Sequence, residues 1–171
     1  MEESNTLGKP RPDIMSPSIE LELEYHVATN TRDFDRINRA ALWVAQTLNI
    51  KKIIASIAIV DDAAIQKVNS QHLGHDWPTD VVSLVFESAA EGVEGEVIAS
   101  WETAARLSYL ANWPVEDELL LYVIHGLLHI CGLDDRQPSE QRIMREMEQA
   151  CLHSLGVDAS DHLAKWNDIT Y

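Results

Sequence analysis

The sequence predicts a single domain that combines a few β-strands with about five helices. The chain has 171 residues, of which 46% are hydrophobic and 24% charged, and this is enough to bury one sizeable core. Segments that alternate between apolar and polar residues, as half-exposed strands do, are interspersed with segments of helical periodicity. One segment, residues 114–131, is apolar nearly all round, which is typical of a helix buried at the centre of a domain.

The sequence pattern in the first half of the domain predicts two strands and two helices. Apolar and polar residues alternate in the first strand, so its glutamates face water, whereas the second strand is apolar on both faces and therefore central. Asp and Thr side chains before these two helical segments provide the expected N-caps. The elements are a strand over 19–27, a helix to about 48 that Thr31 or Asp33 caps, a strand over 53–60, and a short helix that Asp61 or Asp62 caps.

The sequence pattern in the second half of the domain predicts two more strands, joined as a hairpin or meander, and three helices. A β-branched run forms the third strand, and a glycine-bearing stretch after it is expected to be a loop. The elements are strands over 81–86 and 97–100 with a loop over 91–95 between them, and helices over 103–112, 114–131 and 139–155. Ser139 is expected to cap the last helix, Gly156 to stop it, and Ile143, Met147, Ala150 and Cys151 to face the core.

Composition also sets the expected boundaries and location. Residues 1–18 are rich in proline and lack periodicity, so we expect a flexible tail, followed by one domain over 19–158 and an extension over 159–171. No run of eighteen apolar residues and no secretory signal is found, which predicts a cytoplasmic protein without a membrane partner.

The net charge of -15 disfavours loose attachment to nucleic acid. Arg32, Arg36 and Arg39 share a helix face that could meet RNA, although such a stripe is usually just solvated.

The run H-G-L-L-H-I-C-G-L-D-D over residues 125–135 predicts a metal site. His125 and His129 are four residues apart and lie on one helix face, and Gly132 allows the chain to return Asp135 or Asp134 toward them. Two unpaired imidazoles in an apolar helix would each cost roughly 1 to 3 kcal/mol, and a metal ion would give both a partner. Three ligands would leave the fourth position of a zinc ion for water, whose pKa the ion lowers toward ~7.

The spacing of these histidines resembles the zinc signature of metzincin-type peptidases, but the peptidase base is missing. Zincins carry a glutamate directly after the first histidine, and here that position is Gly126. A peptidase would have to recruit its base from elsewhere, such as Glu116 or Glu118 on the same helix. This makes a zinc metallopeptidase the minor alternative.

A polar cluster precedes the third strand and offers candidate catalytic groups. It comprises Asp76, Thr79, Asp80 and Ser83 around Pro78. Asp80 is a candidate general base, although Pro78 also predicts a turn in which Thr79 or Asp80 binds backbone amides. His75 or His72, in the neighbouring turn, could supply a catalytic cation if protonated, and both are exposed turn residues otherwise.

Two motifs together resemble the YbeY family of bacterial metal-dependent endoribonucleases. They are N-x-x-x-x-G-x-D-x-P-T-D-V-x-S from Asn69 to Ser83, and H-G-x-L-H-x-x-G-x-D about forty residues later, and the likeness runs from about Ile19 to Leu155. The resemblance implies an α+β domain with a small mixed sheet and one Zn²⁺ on a buried central helix, without an organic cofactor. It further implies a single-strand-specific endoribonuclease that acts in maturation of ribosomal RNA and in ribosome quality control. Its implied partners are ribosomal RNA and the small ribosomal subunit or its assembly factors.

Departures from the family pattern affect both ligands and catalysis. The family's third ligand is a histidine at the position of Asp135, so Asp135 is the expected third ligand, with Asp134 left to support the turn or a ligand histidine. Leu73 stands where the family usually has an arginine suggested to help catalysis. An arginine there would bind a phosphate in a bidentate manner, which leucine does not do. A ribosome-assembly protein with a structural metal and no nuclease activity is therefore the main alternative.

Overall fold

The structure is a computed structural model that describes residues 16–159. Within this range the chain forms an α+β domain with one mixed sheet and five helices, which confirms the predicted fold class. The strands are β1 (Ser18–Tyr25), β2 (Lys52–Val60), β3 (Val81–Ala89) and β4 (Gly92–Ser100). The helices are α1 (Phe34–Thr47), α2 (Asp62–Leu73), α3 (Trp101–Ala111), α4 (Val115–Ile130) and α5 (Pro138–Ser154).

The sheet has the strand order β1-β2-β4-β3. β1 and β4 both pair with β2 in parallel, and β3 pairs with β4 in antiparallel fashion, so β3 is an edge strand. β2 is central, as its apolar sequence predicts, and buries Ile53, Ile57 and Ile59 on one face. On that face α1 and α4 cover the sheet.

The predicted loop over 91–95 is wrong, because these residues belong to the β3–β4 hairpin. β4 already begins at Gly92, and β3 extends to Ala89 with a register shift between Val85 and Glu87. A Cβ at Gly95 would lie 2.6 Å from the backbone oxygen of Leu84 on β3. Glycine within a strand here permits close approach of the neighbouring backbone, whereas the sequence interpretation took it as a turn signal.

Two helix starts and one helix face also differ from the predictions. α3 begins at Trp101 rather than at residue 103, with Ser100 as its N-cap, and the N-cap of α5 is Gln137 rather than Ser139, with its backbone N–H donating to Oε2 of Glu140. Ile143 and Ala150 are exposed. Cys151 is buried and Met147 half-buried, as predicted, and the other buried positions of α5 are Met144, Glu148 and Leu152. The buried stripe of α5 contains Glu148, and a glutamate is not expected to face the core. The predicted stripe therefore left this position out.

α4 is the central helix, as its sequence predicts. It packs against β3, β4, α1, α3 and α5, and most of its side chains, including Tyr122 and Ile124, are fully buried. Cys131 and Cys151 are free thiols, and burial raises the pKa of both to about 12, so both stay protonated at neutral pH.

The predicted terminal segments lie mostly outside the described residues. Of the tail over 1–18, Ser18 already belongs to β1, and Ala159, the first residue of the predicted extension, is buried. The domain boundaries otherwise stay predictions. In the described range, each helix is too short or too polar to cross a membrane.

α4 packs closely against the sheet at Gly126. A Cβ on this residue would lie 2.5 Å from Cγ1 of Val97 on β4 and 3.1 Å from Oγ of Ser83 on β3. The missing side chain therefore lets the helix approach the sheet, and this approach fixes the position of the neighbouring His125.

Gly126→Ala should therefore destabilise the protein, although alanine favours a helix. The gain in helix propensity is about 1 kcal/mol, whereas overpacking costs about 1 to 3 kcal/mol, so we expect a net loss. Urea unfolding measures the change, and Val97→Ala, which removes both clashing methyl groups of that side chain, should recover part of the loss in the double variant. Strictly additive effects of the two substitutions would contradict this packing.

Candidate metal centre

The C-terminal half of α4 presents two imidazole rings to each other. Nε2 of His125 and Nε2 of His129 are 2.9 Å apart, since residues four apart lie on the same face of a helix. Their side chains are 12% and 25% exposed, so the pair lies at the edge of the core and is open to solvent on one side.

The turn after α4 brings a carboxylate to this pair. Gly132 has φ of +98°, a conformation that glycine adopts without strain, and the backbone N–H of Leu133 donates to the carbonyl of Leu128. The chain then returns so that Oδ2 of Asp135 lies 3.7 Å from Nε2 of His125, and Oδ1 of Asp135 the same distance from Nε2 of His129.

The spacing of these three groups fits a tetrahedral ion. Ligand atoms of His125, His129 and Asp135 all lie within 4.8 Å of one another. Bonds of about 2.0–2.1 Å at a tetrahedral zinc place two ligand atoms about 3.3 Å apart. The observed distances of 2.9 and 3.7 Å bracket this value, so small side-chain movements would complete the coordination. The group could therefore hold a metal ion.

The other nitrogen of each ring is held by an acceptor. Nδ1 of His125 lies 2.6 Å from Oε1 of Glu148 on α5, and Nδ1 of His129 lies 2.9 Å from the carbonyl oxygen of Leu133. With Nδ1 as the donor, Nε2 of each ring presents its lone pair to the shared point. Metal-binding histidines are usually oriented by such partners.

Glu148 is a site residue that the sequence analysis missed. It is completely buried, and Nη1 of Arg145 donates to its Oε2 over 2.7 Å. A buried carboxylate needs such partners because an unpaired charge in the core is costly. Its position in the sequence could have indicated its burial. Glu148 lies four residues after Met144 and four before Leu152, on an otherwise apolar stripe of the helix.

Electrostatics at the centre favour a cation. Burial acts to lower the pKa of His125, but the hydrogen bond to Glu148 and the nearby carboxylate charges together outweigh it, and the pKa is raised. Burial and the charge of His125 lower the pKa of His129. The pair therefore favours one positive charge where the two Nε2 atoms meet, and a metal ion would replace the proton there.

The centre opens into a cleft of about 440 Å³. One wall is β3, and the other is the turn that follows α4. Besides the three candidate ligands, the cleft is lined by Val81, Val82, Ser83, Val85, Gly132, Leu133, Asp134 and Arg136. A substrate would reach the centre along the edge of the sheet.

Asp134 supports the turn, one of the two roles expected for it. Its Oδ1 accepts the backbone N–H of Asp135 over 2.9 Å, and its Oδ2 lies 3.3 Å from Nε of Arg136. The carboxylate that converges on the histidines is thus that of Asp135, while Asp134 fixes the backbone on which Asp135 is carried.

Asp80 and His75 differ in their relation to the centre. Oδ1 of Asp80 accepts the hydroxyl of Thr79 and the backbone N–H of Val81, each over 2.8 Å, which is the turn chemistry anticipated for this segment. Its charge still acts on His125. His75 stacks on Trp77 with ring centroids 4.6 Å apart and is not among the residues that line the cleft. Neither residue is among those that line the cleft, and both stay predicted candidates for a catalytic group.

The groups that a peptidase would need are engaged elsewhere. Position 126 faces the sheet and has no room for a glutamate side chain. Oε1 of Glu116 accepts the hydroxyl of Thr31 over 3.0 Å, and Oε2 of the fully buried Glu118 accepts the indole N–H of Trp113 over 2.6 Å. Neither glutamate lines the cleft.

The arginine stripe near α1 is also largely committed to contacts within the protein. Arg36 forms ion pairs with Asp33 and Asp117, and Arg39 pairs with Asp35 at 3.6 Å. The guanidinium of Arg32 lies over the ring of Tyr25, 5.3 Å from its centroid. These contacts support the solvated and structural interpretation of the stripe.

Comparisons with known proteins agree with this architecture. A family model described as Endoribonuclease YbeY matches residues 20–156. The solution structure of TM1509 from Thermotoga maritima superimposes with a TM-score of 0.52 at 22% identity, and the match covers 81% of this chain and 91% of that protein. At this identity the likeness concerns the fold alone.

Relatives at higher identity carry the same family name. The protein named Endoribonuclease YbeY from Rhodopirellula baltica is 39% identical over 122 residues, which cover 70% of this chain and 63% of the relative, less than two thirds of its length. The Endoribonuclease YbeY of Syntrophus aciditrophicus is 35% identical over 136 residues, which cover 74% of this chain and 85% of the relative. Residues 20–156, which the family model matches, contain all three candidate ligands and Glu148, and the chain belongs to the YbeY endoribonuclease family.

Proposed function

We propose that the protein is a metal-dependent endoribonuclease whose Zn²⁺ is held by His125, His129 and Asp135. The observation that carries this proposal is the convergence of three donors in an open cleft, with each imidazole oriented by a second acceptor. Membership of a family named for an endoribonuclease supports the RNA substrate.

The donor set favours zinc over harder cations. Two imidazole nitrogens and one carboxylate oxygen suit Zn²⁺, whereas Mg²⁺ and Ca²⁺ prefer oxygen ligands throughout. Three protein ligands are also typical of catalytic rather than structural zinc, since structural sites usually have four.

The residues of the chain divide the work around this ion. A bound Zn²⁺ would act as a Lewis acid that activates water and stabilises charge on a phosphodiester. Glu148 holds His125 with Nε2 toward the ion, and the carbonyl of Leu133 does the same for His129. The turn from Gly132 to Asp135 supplies the carboxylate and leaves the β3 side of the cleft open to substrate.

The finer functional assignments belong to the same proposal. They are single-strand specificity, maturation of ribosomal RNA, a part in ribosome quality control, and association with the small ribosomal subunit or its assembly factors in the cytoplasm. The motifs from Asn69 to Ser83 and from His125 to Asp135 support them through the family resemblance.

A ribosome-assembly protein that binds the metal but cuts nothing is the second candidate. Two observations favour it: Leu73 stands at the place of the expected arginine, and the net charge of -15 opposes binding of a polyanion. Glu116 and Glu118, the bases a peptidase would need, are bonded elsewhere, so nothing in the described residues favours a peptidase.

Protein purified without added ions should contain about one divalent ion per chain, measured by elemental analysis. His129→Ala and Asp135→Ala should lose the ion, because each removes one of three ligands. The matched control is His153→Ala, at an exposed histidine on α5, which should retain it. Full metal content in the ligand variants would contradict the site.

Glu148→Gln should weaken zinc binding by about 10- to 100-fold, which is typical when the carboxylate behind a metal-bound histidine is lost. The amide oxygen can still accept from Nδ1 of His125, but the negative charge is gone. Competition with a chromogenic chelator measures the affinity, and Glu146→Gln, at an exposed glutamate of the same helix, is the control. Equal affinities of the two variants would show that Glu148 has only a structural role.

Metal-loaded protein should cleave structured ribosomal RNA and leave casein intact, and a chelator should stop the cleavage. Gel analysis of both substrates separates the candidates, with Asp135→Ala as the inactive control. RNA binding without cleavage would contradict the nuclease and favour the ribosome-assembly protein. Hydrolysis of casein would instead support the zinc metallopeptidase.

A further inference from the structure

The cleft beside the metal centre is poor in positive charge for a site that is to bind RNA. The chain carries a net charge of -15, and Asp134 and Asp135 both line this cleft. The β3 wall contributes only valines and Ser83. A phosphodiester would therefore approach a cleft in which a cation has to offset nearby carboxylates.

Arg136 is the one arginine or lysine among the described residues that line the cleft. It directly follows Asp135 in the chain, so its backbone is fixed by the same turn that positions the candidate ligand. Its side chain is 84% exposed and can reach into the cleft or out of it.

The existing contact of Arg136 leaves it able to bind a second anion. Its Nε lies 3.3 Å from Oδ2 of Asp134, an exposed ion pair of a kind that adds little stability. A guanidinium has five N–H donors, so it can keep this contact and donate two hydrogen bonds from its terminal nitrogens to a phosphate.

None of the other arginines and lysines in the described residues lines the cleft, and most of them have partners elsewhere. Arg36 and Arg39 pair with aspartates around α1, Arg106 pairs with Asp62, and Arg145 pairs with Glu148. Lys51 and Lys52 pair with Glu91 and Glu20, respectively. Arg136 is thus the cation placed where a phosphate next to the metal centre would lie.

We infer that Arg136 is the phosphate-binding residue of the cleft and donates hydrogen bonds to the non-bridging oxygens of the RNA phosphodiester beside the metal centre. This inference rests on the proposed function, since it takes RNA as the substrate. It assigns to the turn after α4 two tasks on successive residues, metal binding by Asp135 and substrate binding by Arg136.

The test compares wild type with Arg136→Gln, Arg136→Lys and Arg142→Gln, all loaded with zinc. Arg142 is exposed on α5 and does not line the cleft, so its variant makes the same change in net charge elsewhere. KM and kcat for a short single-stranded RNA are measured at several salt concentrations. Binding of the same RNA by chelator-treated protein and the zinc content of each variant are measured in parallel.

Arg136→Gln should raise KM and weaken RNA binding about tenfold, the usual loss for charge-assisted hydrogen bonds. It should also reduce the slope of log affinity against log salt by about 0.7, the value for one phosphate contact with a single strand. Arg136→Lys should keep the slope but bind more weakly than wild type, because lysine lacks the planar fork. Zinc content should be the same in all four proteins, and Arg142→Gln should behave as wild type.

Equal KM and salt slope for Arg136→Gln and Arg142→Gln, with wild type active, would overturn this inference alone. Loss of zinc in Arg136→Gln would also overturn it, since the residue would then act through the metal site. Failure of wild type to bind or cleave RNA would overturn the proposed function together with the inference.

Discussion

The hydrogen bond between His125 on α4 and Glu148 on α5 is the interaction on which the site depends. A fully buried carboxylate is costly unless it is paired, and Glu148 has two partners, the imidazole of His125 and the guanidinium of Arg145. The pairing fixes the ring of His125 with Nε2 toward His129 and Asp135, and it places negative charge behind the ring. One contact in the core therefore prepares the centre for a cation.

The sheet constrains the same helix from the other side. Gly126 lets α4 approach Val97 and Ser83 so closely that no side chain fits between them. This contact sets the depth of His125, and it also explains why the helix lacks the glutamate of a peptidase: the position after the first histidine belongs to the helix–sheet interface. The chain therefore shares the histidine spacing of metzincin-type peptidases but has Gly126 where they have the glutamate that serves as general base. A general base for this site would have to come from outside α4.

Much of the fold, the histidine pair and the return of an aspartate toward it could be predicted from local periodicity and spacing, whereas the choice of Asp135 over Asp134 came from the family resemblance. The i, i+4 histidines, the glycine turn and the apolar character of α4 are visible in a short stretch of the chain. Glu148 and the first half of β4, before the predicted strand over 97–100, were missed for different physical reasons. A glutamate on a helix is normally solvated, and its pairing with a histidine 23 residues earlier is a tertiary contact. The glycines of β4 resemble turn residues until the neighbouring strand shows that they permit close packing.

The protein has a net charge of -15, whereas its family is named for cleavage of RNA, a polyanion. In the cleft, a bound divalent ion and Arg136 would supply the positive charge that the chain as a whole lacks. The most direct test of this account is a crystal structure of the zinc-loaded protein with anomalous diffraction data at the zinc edge. We expect a single peak about 2.0–2.1 Å from Nε2 of both His125 and His129, and about 2.0–2.2 Å from an oxygen of Asp135. A peak elsewhere, or an intact hydrogen bond between the two imidazoles in the presence of zinc, would contradict it.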